Sequence, residues 1–565
     1  MIQTKRADFD KIAKQFHIDP VTVRIIRNRG IESEEGMNQY LNGTPESLYD
    51  PLSLKDMEAA VSILKEKIAG EKKIRIVGDY DIDGVCSTYL LLTALRRLGA
   101  RVDYEIPERV KDGYGINESI ILKAAADGVD TILTCDNGIA AFSQIRLAKE
   151  LGMTVVVTDH HEVPIDEEQE VLPPADAVID PKQSDCSYPF PEICGAVVAY
   201  KLIQVLYERL GVPKTEWENL LEFAAIATVG DVMRLQDENR IIVKYGLKQI
   251  GETQNIGLKK LIDKNNLDAS HLTAYHIGFV IGPCLNAGGR LKTAKLALSL
   301  LLSESEEEAD TLAEQLKELN DMRKDMTAQG TEAAKLLVDS RYSEDKVLVV
   351  YLPDCHESLA GIIAGRLRER YQKPAIVLTR GEDAVKGSGR SIEAYHMFRK
   401  LSEVKDLLLK FGGHPMAAGL SIREEDIDEF RQRLNEHSGL SEADLCATVW
   451  IDAAMPMNYI KESLIREFKC LEPFGQGNEK PLFAQKDLII RNCRVMGKNR
   501  NVVKLTLEGV GGFAVDAIYF GDGLAFEDER DGRRIIDVIY YPEMNEYNGN
   551  RSIQAVIKKY KFPQN

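Results

Sequence analysis

The stretch "IRIVGDYDIDGVCSTYLLLTALRRLG" (residues 74–99) decides the fold of the first half of the chain. Its first four residues form a short, mainly apolar run typical of a buried strand, and "STYLLLTALRRLG" (87–99) is typical of a helix. The loop between them carries Asp79, Asp81 and Asp83. A strand that ends in acidic residues and leads into a helix indicates one unit of a parallel α/β sheet.

The same pattern recurs along the chain. Further short apolar runs are "DTILTC" (130–135), "MTVVV" (153–157) and "DAVID" (176–180), and helix-like segments such as "GAVVAYKLIQVLYERLG" (195–211) lie between or after them. Strands buried on both faces and alternating with helices predict a doubly wound, mostly parallel sheet of the α/β class.

The pattern changes three times, and the changes suggest domain boundaries. Residues 1–70 form a predicted helical segment and residues 71–303 the first α/β domain. A long polar helix over 304–340 is the predicted connector to a second α/β domain over 341–450. After 450, five short β-rich runs separated by Gly, Asn and Asp predict a small barrel of the OB type over 451–565.

Composition narrows the class of protein. The chain has 565 residues, 44% of them hydrophobic and 28% charged, which is typical of a soluble protein with several domains. Its start has no signal-peptide pattern, and Gly, Pro and His interrupt its longest uncharged stretch. The nine cysteines include no CxxC pair, which favours a reducing compartment and predicts a cytoplasmic protein without a membrane partner.

Charge is distributed unevenly. The net charge of −17 argues against a protein that binds nucleic acid over its whole surface. Residues 451–565, however, hold 17 Lys and Arg against 16 Asp and Glu. Within them, "RNCRVMGKNRNVVK" (491–504) has five basic residues and no acidic one, so a local nucleic-acid site in the tail remains compatible with the sequence.

Acidic and imidazole side chains follow several of the predicted strands. Asp136 follows the run at 130–135, and Asp159, His160 and His161 follow "VVVT" (155–158). Asp231 ends a helix-like run. Each motif alone has an ordinary explanation, since an Asp–Gly pair after a strand is usually a turn and "DHH" could be a polar loop. Together they converge, because ligands bind at the carboxyl ends of strands in open α/β sheets.

Such a cluster requires a counter-charge. No Lys or Arg lies within these motifs, and carboxylates packed together would repel one another. A site rich in oxygen ligands with few imidazoles suits Mn²⁺, or Mg²⁺ as the alternative, better than Zn²⁺. The ligands are numerous enough for two ions, the usual arrangement for hydrolysing phosphate esters.

The motifs "DYDIDG", "CDNG", "DHH" and "VGD", in this order, resemble those of the DHH phosphoesterase superfamily. Within it, nearly the whole chain resembles the RecJ family of single-strand-specific 5′→3′ exonucleases. The segments that carry this resemblance are "RGIESEEGMNQYL" (29–41), "LYDPLSLKDMEAAV" (48–61), "IPERVKDGYG" (106–115), "IGPCLNAGGRL" (281–291), "HESLAGIIAGRL" (356–367), "GSGRS" (387–391), "FGGHPMAAG" (411–419) and "LEPFGQGNEKPLF" (471–483).

The resemblance implies a role for each matching residue. The metal ligands would be Asp79, Asp81, Asp83, Asp136, His160 and Asp231. Asp136 would bridge two Mn²⁺ ions, His161 would face the scissile phosphate, and Asp159 would orient the imidazoles. The implied reaction is two-metal hydrolysis of single-stranded DNA to 5′-mononucleotides in DNA repair and recombination. A single-strand-binding protein and a helicase are the implied protein partners.

Further residues are expected to hold the DNA. The resemblance suggests that Arg109, Arg290, Arg390 and Ser391 grip the 5′-terminal phosphate, with His414 beside them. In the tail, the basic residues expected to bind DNA are Arg491, Arg494, Lys498, Arg500 and Lys504, and the aromatic candidates for stacking on bases are Tyr519, Phe520, Tyr540, Tyr541 and Tyr547. The chain departs from the family pattern at Ile82, Cys284 and Cys355.

Two other functions stay open at this point. A phosphodiesterase of the same superfamily could act on short oligonucleotides or cyclic dinucleotides, although such relatives generally lack an OB barrel. A catalytically silent scaffold of a replication complex could share the fold, but no acidic or histidine position of the motifs is lost here.

Overall fold

A five-stranded parallel sheet in the order β2-β1-β3-β4-β7 organises residues 50–231 of the computed structural model. The structure describes residues 1–3, 5–109, 111–166, 169–547 and 550–563, without the side chains of Tyr547 and Asn550. The first helices of the chain are α1 (Phe9–Phe16), α2 (Pro20–Asn28) and α3 (Glu34–Asn42). The elements around the parallel sheet are α4 (Met57–Ala69), β1 (Lys73–Val77), α5 (Ile82–Arg97), β2 (Arg101–Glu105), α6 (Glu118–Ala126), β3 (Thr131–Cys135), α7 (Phe142–Glu150), β4 (Thr154–Thr158), β5 (Ile165–Asp166), β6 (Gln169–Glu170) and β7 (Ala177–Ile179).

The order of the strands explains where the acidic residues meet. The chain runs from β1 outward to β2 and then returns to β3 on the opposite side of β1. In register, Leu133 of β3 pairs with Ile76 of β1 on one side and with Val156 of β4 on the other. Where the connections that follow two adjacent strands lead to opposite sides of the sheet, a crevice forms at the carboxyl ends of those strands. Ligands bind in this crevice in such sheets. The predicted doubly wound parallel sheet is confirmed.

A helical region follows the sheet. Its elements are α8 (Gly195–Leu210), α9 (Lys214–Glu218), α10 (Leu221–Gly230), α11 (Asp237–Gly251), α12 (Ile256–Lys264), α13 (Ala274–His276), a π-helical turn (Ile277–Ile281), α14 (Gly282–Leu291), α15 (Lys295–Leu302) and α16 (Glu306–Leu337). The long helix α16 buries a stripe of mostly small or polar residues, including Ala309, Ala313, Asn320 and Thr327. It is therefore packed along its length, although its sequence is polar.

The second sheet has the order β11-β12-β10-β9-β8 and mixes antiparallel pairs with the parallel pair β8–β9. Its elements are β8 (Leu348–Tyr351), α17 (Ala360–Tyr371), β9 (Ala375–Arg380), β10 (Val385–Arg390), α18 (Met397–Ser402), β11 (Leu408–Gly413), β12 (Ala417–Ile422) and α19 (Ile427–Glu436). The second α/β domain is thereby confirmed.

The last strands close into a barrel in the order β13-β14-β15-β17-β16, which confirms the predicted OB-type fold. The elements of this region are α20 (Glu462–Glu467), β13 (Phe483–Met496), β14 (Val502–Glu508), β15 (Ala514–Phe520), α21 (Gly523–Arg530), β16 (Ile535–Tyr547) and β17 (Asn550–Lys561). Strand β14 alternates buried and half-buried residues, as expected for a strand with one face toward a barrel core.

The chain forms two compact units. One consists of residues 1–49, 232–245 and 448–565, and the other of residues 50–231 and 246–447. In the first unit, buried residues of α2 and α3 such as Val23, Ile26 and Met37 belong to the same hydrophobic core as the barrel interior. The domain boundaries inferred from the sequence stay a proposal. No helix in the described ranges is both long and apolar enough to cross a membrane.

Candidate active site

The carboxyl ends of β1, β3 and β4 bring the predicted acidic and imidazole residues together. Nε2 of His160 lies 3.1 Å from Asp136 Oδ1, 3.4 Å from Asp83 Oδ2 and 3.8 Å from Asp231 Oδ2. Asp79 and Asp81 form a second group with Asp136, whose nearest oxygen atoms lie within 4.8 Å of one another. All six residues predicted as metal ligands thus lie in one cluster.

Backbone groups hold the carboxylates of the first loop in place. Asp79 accepts a hydrogen bond from the Gly115 amide (3.0 Å), and Asp81 caps the N-terminus of α5. Each oxygen of Asp83 accepts a 2.7 Å hydrogen bond, one from the Gly195 amide and one from the Ala196 amide. These amides are the first of α8, so the unpaired N–H groups and the dipole of that helix stabilise a buried negative charge.

Asp136 adopts an unusual backbone conformation, with φ of 60°. The next residue, Asn137, fixes this turn, because its side-chain amide donates to the carbonyl oxygens of Val77 (3.0 Å) and Cys135 (2.9 Å). Gly195 approaches so closely that a Cβ atom there would lie 2.8 Å from Cβ of Asp136. The strained turn and the close approach of α8 aim the Asp136 carboxylate at the cluster.

The carboxylates of the cluster lie too close together for all of them to be ionised without a counter-charge. Burial and the neighbouring Asp81 hold the pKa of Asp79 well above its ordinary value, and burial and Asp83 do the same for Asp136 and Asp231. Asp79 Oδ2 is buried and has no hydrogen-bond partner. A divalent cation fits this set of donors, which is rich in oxygen and contains one buried imidazole, and it would stabilise the ionised carboxylates.

The two histidines occupy different surroundings. His160 is buried, and burial lowers the pKa of its imidazole. His161 is more exposed and donates from Nδ1 to Asp159 Oδ1 (2.7 Å). Against the effect of burial, this bond raises the pKa of His161 to about 9, and it lowers the pKa of Asp159 to about 2. Asp159 also accepts from the amides of His160 and Ile139, so it fixes the whole turn.

Tyr114 is a site residue that the sequence did not single out. Its hydroxyl donates to the carbonyl oxygen of Asp136 (2.7 Å) and lies 3.1 Å from Nδ1 of His161. The only signal was its place in "IPERVKDGYG", a segment noted for its resemblance and for Arg109.

A cavity of about 800 Å³ adjoins Arg109, Arg290 and Arg390. Arg290 donates to the Ser358 carbonyl (3.0 Å), and Arg390 donates to Ser388 Oγ (3.2 Å) and the Gly389 carbonyl. Among the described residues, none of these three guanidinium groups forms an ion pair with a carboxylate. Burial and the repulsion by Arg109 lower the pKa of Arg290 to about 10. The lining also includes Arg366 and Lys386 against Glu357 and Glu369, so positive side chains outnumber negative ones and the cavity suits an anion.

Two predicted phosphate contacts are placed differently. Ser391 is fully buried and its hydroxyl donates to the Tyr395 carbonyl, so its side chain does not line the cavity, and its contact to the phosphate stays a prediction. Ser388 lines the cavity instead, three residues earlier, on the same face of β10 as Arg390, because alternate residues of a strand face the same side. His414 is exposed on the turn after β11 and lies near Glu162, but it does not line the cavity.

The residues that depart from the family pattern lie outside the cavity as well. Cys284 is buried, and its thiol accepts from the Asn320 side chain (3.2 Å). Cys355 packs beside the apolar core of the second sheet. Ile82 is buried at the start of α5. None of the three lines the cavity.

The basic residues of the barrel fall into two groups. Arg491 pairs with Glu508 (2.6 Å) and Lys504 lies 3.5 Å from Asp516, so acidic neighbours offset both charges. Arg494, Lys498 and Arg500 are exposed on β13 and the turn after it, with no ion pair among the described residues.

The aromatic residues expected to stack on bases differ in how far they are exposed. Tyr540 and Tyr541 are core residues, and Tyr519 is half-buried. Phe520 is 62% exposed and is thus free to stack on a base. The side chain of Tyr547 lies outside the described residues.

Family models match three parts of the chain. The DHH family N-terminal domain matches residues 73–228, the DHHA1 domain residues 344–438 and the RecJ OB domain residues 451–559. These matches coincide with the parallel sheet, the second sheet and the barrel.

Proteins named RecJ are similar to this chain over most of its length. The single-stranded-DNA-specific exonuclease RecJ of Bacillus subtilis is 37% identical over 98% of this chain and 70% of its own length. The protein of that name from Haemophilus influenzae is 34% identical over 95% of both chains. The crystal structure of Thermus thermophilus RecJ in complex with Mn²⁺ matches with a TM-score of 0.84 at 27% identity, covering 100% of this chain and 79% of that one. The chain belongs to the RecJ family.

Proposed function

We propose that this protein is a metal-dependent exonuclease that degrades single-stranded DNA from its 5′ end and releases 5′-mononucleotides. The observation that carries the proposal is the joint presence, in one compact unit, of a buried carboxylate–imidazole cluster and a cavity lined by unpaired arginines. The relatives named single-stranded-DNA-specific exonuclease support the choice of substrate. DNA repair and recombination are the processes that we propose for it.

The acidic cluster would hold the metal. We propose two ions, one among Asp79, Asp81 and Asp136 and the other among Asp83, His160 and Asp231, with Asp136 shared. Mn²⁺ is the proposed ion and Mg²⁺ the alternative, since oxygen donors dominate and crystal structures of RecJ with either ion match this chain. Bound divalent ions supply the charge that activates water and offsets negative charge on phosphate oxygens.

His161 is the proposed contact to the scissile phosphate. The hydrogen bond to Asp159 raises the pKa of its imidazole and so favours the cationic form. Asp159 holds the proton on Nδ1, which leaves the proton on Nε2 available to a phosphate oxygen. Asp159 is thus a positioning residue, and His161 stabilises negative charge as the P–O bond breaks.

The arginine cavity would bind the terminal phosphate and so define where cleavage begins. Arg109, Arg290 and Arg390 are its proposed ligands, together with Ser388. Because guanidinium groups make paired hydrogen bonds with phosphate oxygens, three of them favour a doubly charged terminal phosphate over an internal diester. His414 stays a proposed contact to the strand.

The barrel would add affinity for long strands. Arg494, Lys498 and Arg500 offer unpaired positive charge, and Phe520 offers an exposed ring. A single-strand-binding protein and a helicase are proposed partners by resemblance. We place the activity in the cytoplasm, because nine free thiols suit a reducing compartment.

Timed digestion of oligonucleotides tests the proposal. A single strand labelled at its 5′ end should release labelled mononucleotide at once with Mn²⁺, whereas the same strand labelled at its 3′ end should shorten progressively. The Asp136→Asn variant, purified in the same way, controls for contaminating nuclease and should lose at least about 10³-fold in rate, since it removes a shared ligand charge.

Three outcomes would contradict the proposal. Release of the 3′ label first would reverse the polarity. Equal rates on blunt duplex and single strand would remove the strand specificity. Cleavage confined to dinucleotides would favour the short-substrate phosphodiesterase.

A further inference from the structure

Tyr80 lies between two members of the acidic cluster and also contacts the arginine cavity. Its neighbours in sequence are Asp79 and Asp81. The guanidinium carbon of Arg109 lies 4.2 Å from the centroid of the Tyr80 ring, within the range of a cation–π interaction. The half-buried side chain of Tyr80 contacts Arg109, and its neighbours in sequence belong to the acidic cluster, so this residue links groups that we assign to two different tasks.

Apart from the Tyr80 ring, few contacts fix the guanidinium group of Arg109. Its Nε atom is buried without a hydrogen-bond partner, and no ion pair restrains its guanidinium among the described residues. A long side chain of this kind loses much conformational entropy when it is fixed by a ligand. A ring that holds the guanidinium in one orientation before the ligand binds lowers this entropy cost and so raises the affinity for an anion.

Tyr80 also contacts a second aromatic residue. Its ring meets that of Tyr114 at 85° with the centroids 6.4 Å apart. Tyr114 in turn lies 5.4 Å from His161, centroid to centroid, and bonds the Asp136 carbonyl. The rings thus form a continuous row from the Arg109 guanidinium to His161.

We propose that Tyr80 is a positioning residue for recognition of the strand end. Its ring holds the Arg109 guanidinium toward the terminal phosphate and fixes that contact relative to the metal cluster. The face that Arg109 covers is closed to a base, so Tyr80 acts through Arg109 and not by stacking on DNA. The proposed function supplies the identity of the anion, a 5′-terminal phosphate, and the inference rests on it to that extent.

The experiment measures binding without cleavage. Fluorescence anisotropy gives the affinity of the full-length protein for a phosphorothioate hexanucleotide that bears either a 5′-phosphate or a 5′-hydroxyl. The quantity of interest is the ratio of the two affinities for each variant. Because both ligands are measured on the same preparation, a partly unfolded variant changes both affinities and leaves their ratio unaltered.

Two substitutions at Tyr80 separate the ring from its hydroxyl. Tyr80→Leu removes the π face and should lower the affinity ratio by roughly five- to thirtyfold, the range for loss of a partly desolvated cation–π contact. Tyr80→Phe keeps the face and should retain the ratio within about twofold.

A matched control lies elsewhere in the same unit. Arg431 lies over the ring of Tyr342 at 4.3 Å, away from the cavity. Tyr342→Leu removes a contact of the same kind and should leave the affinity ratio unchanged.

The outcomes separate this inference from the proposed function. An unchanged ratio in Tyr80→Leu overturns the inference, and so does an equal loss of affinity for both ligands, which would indicate base stacking. An affinity ratio of one in the wild-type protein overturns the inference as well, because the protein would then not recognise the 5′-phosphate at all. Wild-type protein that prefers the 5′-phosphate but hydrolyses no strand contradicts the proposed function only.

Discussion

At the scale of single residues, the pair formed by Asp159 and His161 is the clearest example of a side chain that acts through another. Asp159 is buried and accepts hydrogen bonds from the amides of His160 and Ile139 and from Nδ1 of His161, whereas the His161 side chain is 41% exposed. The pair lies beside the carboxylate cluster, and the bond to Asp159 favours the protonated form of the His161 imidazole by raising its pKa.

We expect Asp159→Asn to lower the pKa of His161 from about 9 toward its ordinary value of 6.5, because the amide no longer stabilises the imidazolium. An NMR titration of histidine rings in metal-free protein measures this, with His161→Gln to assign the signal. Titration of His161 at the same pH in Asp159→Asn would show that another group holds its proton.

The sign of the effect on stability follows from the same shifts. Since the pKa of His161 is raised in the folded state, its contribution is complete below pH 6.5 and is lost as the pH rises through about 9. Since the pKa of Asp159 is lowered, its contribution is complete above pH 3.8 and is lost as the pH falls through about 2. The pair stabilises the fold fully between these two ordinary pKa values.

At the scale of elements, helix α8 (Gly195–Leu210) is the part of the fold on which the acidic cluster depends most. Its first two amides bind Asp83, and its first residue lies against Asp136. The helix could be predicted from its sequence, but its role could not, because nothing in "GAVVAYKLIQVLYERLG" shows that its N-terminus faces a carboxylate 112 residues earlier.

We expect Gly195→Ala to weaken Mn²⁺ binding by at least about tenfold, because the new Cβ atom would displace Asp136 from the cluster. The cost in unfolding free energy should be about 1–3 kcal/mol, as for other overpacked cores. Calorimetric titration with Mn²⁺ and thermal unfolding measure the two quantities.

The control for this prediction is Gly278→Ala. A Cβ atom at Gly278 meets Val229 at an ordinary distance of 3.5 Å, so both quantities should stay close to those of the parent protein. Equal Mn²⁺ affinity in Gly195→Ala and Gly278→Ala would show that the close approach does not position Asp136.

The sequence predicted those elements whose pattern is local. The buried strands β1, β3 and β4 and the five barrel strands follow from their runs of β-branched and apolar residues. Strand β2 (Arg101–Glu105) was missed, because an edge strand with three charged residues has no apolar run to mark it. In the candidate site, the acidic and imidazole residues that follow the strands lie close together, because the strand order brings the carboxyl ends of β1, β3 and β4 side by side.

The remaining site residues could not be predicted from the sequence, because their contacts depend on the folded structure. Ser388 and Ser391 both lie in "GSGRS", and only the folded structure shows that Ser388 on β10 lines the cavity while Ser391, just after the strand, is buried. Tyr114 had no pattern of its own, because a contact between a loop tyrosine and a turn 22 residues later leaves no periodic trace.

At the scale of the whole molecule, the unit that contains both ends of the chain is held by a buried ion pair. Arg29 contacts Asp452 at 2.9 Å, and both side chains are 6% exposed. Asn28 donates to the same carboxylate (3.1 Å). The first helices and the barrel therefore share polar contacts as well as a hydrophobic core.

We expect Asp452→Asn to destabilise this unit by about 3–5 kcal/mol, because it leaves the Arg29 charge buried without a partner. Hydrogen exchange should rise together in residues 9–42 and in the barrel strands, while the parallel sheet keeps its protection. The double variant Arg29→Met with Asp452→Leu removes both charges and should recover part of the loss. Faster exchange in the helices alone would show that they unfold independently of the barrel.

The shared core also has a consequence for the way the protein is made. Residues 1–49 leave the ribosome long before residues 448–565, with which they form a compact unit. At 5–20 residues per second, the apolar faces of α1–α3 wait for roughly 20–80 s without their partners. We expect these three helices to expose apolar surface during that time, and a circularly permuted gene that encodes the barrel directly before them would remove most of the delay.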